Sequence, residues 1–360
     1  MSANFVANTV TDKLSRNFEY LRISVTDRCN FRCSYCMPSD IFNKDYSYIS
    51  QDNILSYEEI IDICKLLKKI GLKKVRITGG EPLLRKNIDK LIFKLKTEVM
   101  LDRVSMTTNG SLLSDDKVSE LKKSGLDSIT LSLDTLDKDK ISVINGTKKN
   151  FNLMPLLESI EKHFNIIKTN TVVIKDVNDD EVIDIINHMK NFKSEIRFIE
   201  YMDVGESNKW DPSKVVSSES LLESINEHYS LKQMKTETSS TAKKWHIKDS
   251  NSSIGLISSI TQPFCSSCNR ARLSVDGKLF TCLFASNGFD IKSVIRSDNY
   301  EEKLLELFKK IWMERSDQYS QIRFSSKRDL PKVEMSYICL LYTSDAADEG
   351  LGVDLGGRRI

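Results

Sequence analysis

From about residue 20 to residue 203, short apolar runs rich in β-branched residues alternate with stretches whose apolar positions recur at helical spacing. That alternation predicts successive βα units and a parallel sheet. The strand candidates are 21–25, 74–78, 103–107, 128–133, 166–174 and 195–202. Between the first two, Ser56 and Glu59 have capping-box spacing, Ile60, Ile63, Leu67 and Ile70 share one helical face, and Gly71 supplies a stop. Further helices are predicted at 88–97, 115–123, 153–164 and 180–191, and a last amphipathic one at 300–314.

Six βα units are too few for a closed eight-stranded barrel, so the expected fold is α/β, an open partial (β/α)6 TIM-like barrel. Its active site belongs at the strand C-termini, and an open side admits a large substrate. After Met202 the pattern fades through Gly205 and Pro212, and the polar run 232–253 reads as an excursion before a second compact segment. The expected units are a barrel core at 15–230 and a smaller C-terminal domain at 231–338, with 339–360 outside the fold.

Composition narrows the chemistry. A net charge of +2 offers no broad electrostatic footprint for nucleic acid or a membrane surface. No signal-peptide pattern and no run of about 18 apolar residues is present, which predicts a cytoplasmic protein. Disulfides are rare in that compartment, so six of eight cysteines falling in two tight groups points to metal ligation. Cys64, inside the capped helix, reads as a packed hydrophobe.

Cys29, Cys33 and Cys36 form C-x3-C-x2-C directly after the first strand. Three thiolates on a four-iron cube leave one iron open, which the amino and carboxylate groups of S-adenosylmethionine can chelate. Cluster potentials reach down to about −700 mV, and cleaving the sulfonium carbon–sulfur bond requires a very low one. A zinc site is the alternative. Gly79-Gly80-Glu81-Pro82 closes the second strand, where glycines permit close backbone approach and Glu81 can accept from an ammonium group. With both motifs at adjacent strand ends, the chain resembles the radical S-adenosylmethionine superfamily.

Cys265, Cys268 and Cys282 read C-x2-C-x13-C, three ligands again without an evident fourth. A second cluster with an exposed iron is the economical inference, and a zinc site completed by His246 is the alternative. Arg270 and Arg272 share a face if extended and suit phosphate oxygens. Together with segments 21–38, 75–85, 107–112 and 198–205, the stretch 264–283 with Asn269-Arg270-Ala271-Arg272-Leu273 resembles the GTP 3',8-cyclase family of molybdenum cofactor biosynthesis, over most of residues 15–338.

The resemblance implies a lyase with two [4Fe-4S] clusters and S-adenosylmethionine. A 5'-deoxyadenosyl radical removes the C3' hydrogen of GTP, and the C3' radical attacks C8. The product is (8S)-3',8-cyclo-7,8-dihydroguanosine 5'-triphosphate, which cyclic pyranopterin monophosphate synthase consumes. It places Tyr35, Gly79, Gly80, Glu81, Asn109, Ser132 and Met202 against S-adenosylmethionine. Around GTP it places Arg22, Arg76, Thr107, Lys168, Arg270 and Arg272, with Lys73 and Lys74 as further basic candidates. The auxiliary cluster binds the guanine base. A flavodoxin or ferredoxin reductant and a homodimer are also implied. Family members end in Gly-Gly after a segment like Met335-Ser336-Tyr337-Ile338. Here Cys339 to Ile360 follows instead, resembling translated vector sequence, and Gly356-Gly357 is followed by Arg358, Arg359 and Ile360. Reduced turnover is the expectation.

Overall fold

The protein is described by a computed structural model that places residues 9–147, 152–236, 239–322 and 332–337. The expected tail, 339–360, and Ile338 lie outside the described residues. Six parallel strands carry the first half: β1 (Tyr20–Ser24), β2 (Lys74–Thr78), β3 (Arg103–Thr108), β4 (Ser128–Ser132), β5 (Ile167–Val173) and β6 (Ser194–Glu200), hydrogen-bonded in that order. The crossover helices are α1 (Tyr57–Lys68), α2 (Ile88–Thr97), α3 (Asp115–Lys123), α4 (Lys138–Ile144), α5 (Leu153–Phe164) and α6 (Val182–Met189). Of these, α4 was not expected, and the helix expected at 180–191 begins as a 3-10 turn, Asp179–Glu181.

The α1 capping box forms as its sequence requires. Glu59 N–H donates to Ser56 Oγ at 3.1 Å and Ser56 N–H to the Glu59 carboxylate at 2.7 Å. Ile60, Ile63, Cys64 and Leu67 bury the opposite face. Gly71 ends the turn at φ +123°, where an added Cβ would lie 2.6 Å from Phe18 O.

Each strand has two unlike faces. Leu21, Ile23, Val75, Ile77, Val104, Met106, Ile129 and Leu131 pack under the helices in the main apolar core. The alternate positions, Arg22, Arg76, Thr107, Thr130, Lys168 and Arg197, are polar yet fully buried. A parallel sheet sandwiched between helix layers reads as nearly continuous hydrophobic strands. A polar second face means instead that the sheet curls round a polar lumen.

The strands of the second half join the same sheet. The expected polar excursion contains an antiparallel pair, β7 (Leu231–Gln233) and β8 (Lys243–Ile247), preceded by α7 (Ser218–His228). It leads into β9 (Ser253–Ile257), which pairs parallel to β6. Then β10 (Arg270–Leu273) pairs parallel to β1, followed by antiparallel β11 (Lys278–Phe280) and β12 (Phe289–Asp290). Consecutive strands β9 and β10 therefore extend opposite edges of the six-stranded core, and the order β12-β11-β10-β1-β2-β3-β4-β5-β6-β9-β8-β7 leaves them unpaired with each other. The gap is the open seam, crossed by residues 258–269. Glu200 pins that crossing by accepting from Ser218 N, Ile260 N and Thr261 N at 2.8, 2.8 and 2.9 Å. Short α8 (Lys292–Ile295) and α9 (Tyr300–Glu314) complete the fold, the latter at its expected bounds. Among the described residues no helix is long and apolar enough to cross a membrane.

Candidate active site

The loop after β1 carries Cys29, Cys33 and Cys36 to the C-terminal rim of the sheet. Arg32 organises it from within, donating to Cys29 O and Phe31 O at 2.8 Å each and to Phe42 O at 2.6 Å. From outside, Arg32 N and Ser34 N bond to the end of α4, at Asn145 O and Ile144 O. The β2 turn lies flat against the start of this loop. Gly80 N donates to Thr26 O at 2.7 Å and Glu81 N to Arg28 O at 2.8 Å. A Cβ on Gly79 would sit 2.5 Å from Thr26 O, and one on Gly80 2.2 Å from Arg28 O. The two glycines thus permit approach to the cysteine loop's own backbone, where the sequence suggested approach to a ligand.

The three thiols line one cavity with Tyr35, Gly80, Asn109, Ser132, Asp134 and Asn145, around ≈ 440 Å³ of empty space. Tyr35 donates to Asp134 at 2.6 Å, and Asn145 Nδ2 to Cys33 Sγ at 3.4 Å. Glu81 is buried beside the cavity and accepts from Thr108 Oγ1, Asn109 N and Leu83 N at 2.7, 2.8 and 3.1 Å. With about four lone-pair sites, its carboxylate retains capacity for one further donor. Burial, opposed by those bonds, pushes its carboxyl up to about 7. Burial likewise pushes Cys29 up to about 12, aided by Glu81, and raises Cys33 and Cys36. Bare thiolates are costly in such a site, and a cationic metal group reverses that preference.

Two observations fit an iron–sulfur group with an organic ligand. Ser132 Oγ is buried without a partner at the cavity wall. Both amide atoms of Asn170, the register neighbour of Ser132 on β5 and a residue that sequence reasoning missed, are likewise buried without a partner. Buried polar atoms of this kind need a partner from elsewhere.

Below this cavity the lumen is cationic. Arg22 stands in register with Arg76 on one side and Arg272 on the other, so three guanidinium-bearing positions lie on adjacent strands, spaced about 4.8 Å apart. Arg76 is held by Tyr20 Oη at 2.8 Å, Thr107 Oγ1 at 2.9 Å and Thr130 Oγ1 at 3.1 Å. Lys168 pairs in register with Thr130 and Glu195. Arg197, also missed, donates to Glu195 at 2.7 Å, and Lys244 reaches the same oxygen at 3.1 Å. Burial would push Glu195 up, but the charges of Arg197, Lys168 and Lys244 outweigh it and hold the carboxyl at about 2. The alternation of polar residues within otherwise apolar strands was the available signal for Arg197 and Lys244. Lys74 opens β2 in register with Tyr20, and Lys73 just before it pairs with Glu19 at 2.6 Å.

Cys265, Cys268 and Cys282 line a second cavity, ≈ 620 Å³ of empty space, with Met202, Thr241, Phe264, Arg270, Arg272 and Leu283. Its walls draw on both ends of the sheet: Arg270 is in register with Tyr20, the first residue of β1, whereas Met202 follows the C-terminal end of β6. Burial raises the Cys268 thiol, but Arg270 and Arg315 overcome it and bring it down to about 7. His246 pairs with Ser253 at the start of β9 and is not among the residues that line the cavity. Met202, expected at the S-adenosylmethionine site, is part of this cavity's lining. It also belongs to an apolar cluster that includes Tyr35, Cys33, Cys36, Phe264 and Cys282, so one lining runs between the two cysteine groups.

A sequence profile for the radical SAM superfamily matches residues 23–189, and one described as Molybdenum Cofactor Synthesis C matches 194–321. A Staphylococcus saprophyticus protein named GTP 3',8-cyclase is 42% identical over 337 residues, covering 91% of this chain and 98% of its own. A Staphylococcus aureus protein of the same name matches with the same identity and coverage. The chain belongs to the GTP 3',8-cyclase family. Membership makes it an enzyme of the radical S-adenosylmethionine class. Among solved structures, Streptococcus suis SuiB bound to S-adenosylmethionine aligns with TM-score 0.59 at 17% identity, over 87% of this chain and 69% of that one, a likeness of fold. The second family profile begins at β6, whereas the sequence placed the boundary at 230/231, and the continuous sheet crosses both positions.

Proposed function

We propose that this chain converts GTP to (8S)-3',8-cyclo-7,8-dihydroguanosine 5'-triphosphate, the first step of molybdenum cofactor biosynthesis, with S-adenosylmethionine and two [4Fe-4S] clusters. The observation that carries the reading is the row Arg272, Arg22, Arg76 on adjacent strands, buried on the polar face of the sheet, with Arg272 also lining the second of the two three-cysteine cavities. Cys29, Cys33 and Cys36 hold the first cluster, which when bound supplies the electron that cleaves S-adenosylmethionine. Gly80, Tyr35, Ser132, Asn109 and Asn170 surround the latter, with Gly79 and Glu81 fixing the turn. Met202 closes its far side toward the second cavity.

Arg22, Arg76, Lys168, Arg197, Arg270 and Arg272 supply the triphosphate with charged donors inside a low-dielectric lumen, where such bonds are strongest. Thr107 accepts from Arg76 and orients it, and in this reading it meets the nucleotide as well. Cys265, Cys268 and Cys282 would hold the second cluster, whose open iron would be available to the guanine base. The apolar lining through Tyr35, Met202 and Phe264 keeps water from reactive species between the two. A flavodoxin or ferredoxin reductant, a homodimer, cytoplasmic location and a downstream cyclic pyranopterin monophosphate synthase complete the proposal. So does the division into a core at 15–230, a C-terminal unit at 231–338 and a non-native tail.

Anaerobic incubation of iron-reconstituted protein with GTP, S-adenosylmethionine and dithionite tests it. The expected result is 5'-deoxyadenosine together with the cyclised nucleotide. Deoxyadenosine without a nucleotide product would discard the substrate assignment.

A further inference from the structure

A buried ionic cluster touches the second cysteine group without lining its cavity. Asp12, Arg16 and Arg315 have side chains 0%, 2% and 1% exposed. Arg16 Nε donates to Asp12 Oδ2 at 2.6 Å, and Arg315 Nη1 reaches the same oxygen at 3.3 Å. Both guanidinium groups also clamp the cysteine segment. Arg16 Nη1 donates to Cys265 O at 2.7 Å, and Arg315 Nη1 to Cys268 O at 2.7 Å. Arg315 Nη2 then points at Cys268 Sγ from 3.4 Å. Its remaining nitrogen, Nε, is held by Asp317 at 3.2 Å, and Trp312 stacks under the guanidinium, 4.5 Å from ring centroid to Cζ. Trp312 is itself fixed through Nε1 to Arg16 O at 2.9 Å.

Every nitrogen of Arg315 therefore has a defined partner, and one of those partners is a cysteine sulfur. Asp12 and Asp317 compensate the two guanidinium charges, so the cluster is tolerable in the interior. The donor aimed at sulfur keeps its direction because the others cannot turn. By contrast, Cys33 in the first group takes its side-chain bond from a neutral amide, Asn145. Hydrogen bonds to ligand sulfurs stabilise the electron-richer, reduced form of an iron–sulfur group and raise its potential. Burial strengthens a charged donor of this kind.

We propose that Arg315 is a positioning residue that raises the reduction potential of the iron–sulfur group on Cys265, Cys268 and Cys282, with Asp12 and Arg16 holding it in place. This rests on reading the second cysteine group as a cluster site. The test uses full-length protein with Cys29, Cys33 and Cys36 replaced by alanine, so that only the second site loads, and compares it with the same protein carrying R315Q or R315K. Iron content and an anaerobic potentiometric titration are measured for each. The expected parent holds about four irons. R315Q shifts the couple to lower potential, so that at the parent's midpoint the reduced-to-oxidised ratio falls about tenfold, or about 59 mV for one electron. R315K keeps the charge but loses the fork geometry and shifts less in the same direction. An R315Q protein with full iron and an unchanged or higher midpoint overturns the proposal. If R315Q yields no folded protein, R315K decides, an unchanged midpoint again overturning it. A parent that binds no iron refutes the second-cluster reading instead.

Discussion

A Cβ on Gly80 would lie 2.2 Å from Arg28 O, 2.5 Å from Arg28 C and 2.9 Å from Cys29 N. All three are backbone atoms, so no rotamer change relieves the clash in Gly80→Ala. The loop must retreat by roughly 1 Å to reach ordinary contact distance, an overpacking strain of about 1–3 kcal/mol. That retreat also stretches the Gly80 N to Thr26 O and Glu81 N to Arg28 O bonds, now 2.7 and 2.8 Å, and each one lost inside the protein costs about 1–3 kcal/mol more. The displaced atoms belong to the residue before Cys29 and to Cys29 itself, so the damage is concentrated on the first cysteine group. G80A should therefore retain a folded far-UV spectrum with a lowered Tm, hold close to half the wild-type iron after reconstitution, and release no 5'-deoxyadenosine. Full iron content with undiminished S-adenosylmethionine cleavage would refute the claim that this glycine exists for the backbone contact.

Further consequences are open to simpler assays. Because Ser132 Oγ and the Asn170 amide have no protein partner, S132A and N170A should leave unfolding stability within about 1 kcal/mol of wild type yet raise KM for S-adenosylmethionine, whereas a fall in stability alone would make them structural. Arg22→Gln should raise KM for GTP about tenfold or more without reducing iron content, as measured by nucleotide titration and iron analysis. Glu195 has a folded pKa of about 2 against an ordinary 4.5, so its contribution is present in full above pH 4.5 and is lost as pH falls toward 2. A shift of that size corresponds to about 3 kcal/mol. The Tm gap between wild type and E195Q should be constant above about pH 5 and narrow at pH 3, and a gap that ignores pH would contradict the assignment. Finally, Glu334 accepts from Glu206 N and Ser207 N at 3.0 and 3.1 Å, and a Cβ on Gly205, φ +77°, would lie 2.5 Å from its Oε2. Gly205→Ala should loosen segment 332–337 from the loop after Met202, read as faster proteolysis there.

The local sequence determined much of this protein. Capping boxes, helical periodicity and cysteine spacing depend on residues within a few positions of one another, which is why 88–97, 115–123, 153–164 and 300–314 match their helices and why both cysteine groups could be read as ligand sets. Strand register is a different matter. Nothing near Arg272 in the chain says that it will stand beside Arg22, 250 residues earlier, or that β9 and β10 will add to opposite edges of one sheet. Those pairings follow from closure of the apolar face of each strand on the helices, which forces the alternate residues into a shared lumen. Thus Arg22, Arg76 and Lys168 came to share one buried cationic face, and Arg197 and Lys244 joined it around Glu195. Residue types announced the chemistry, and long-range packing decided which of them face one another.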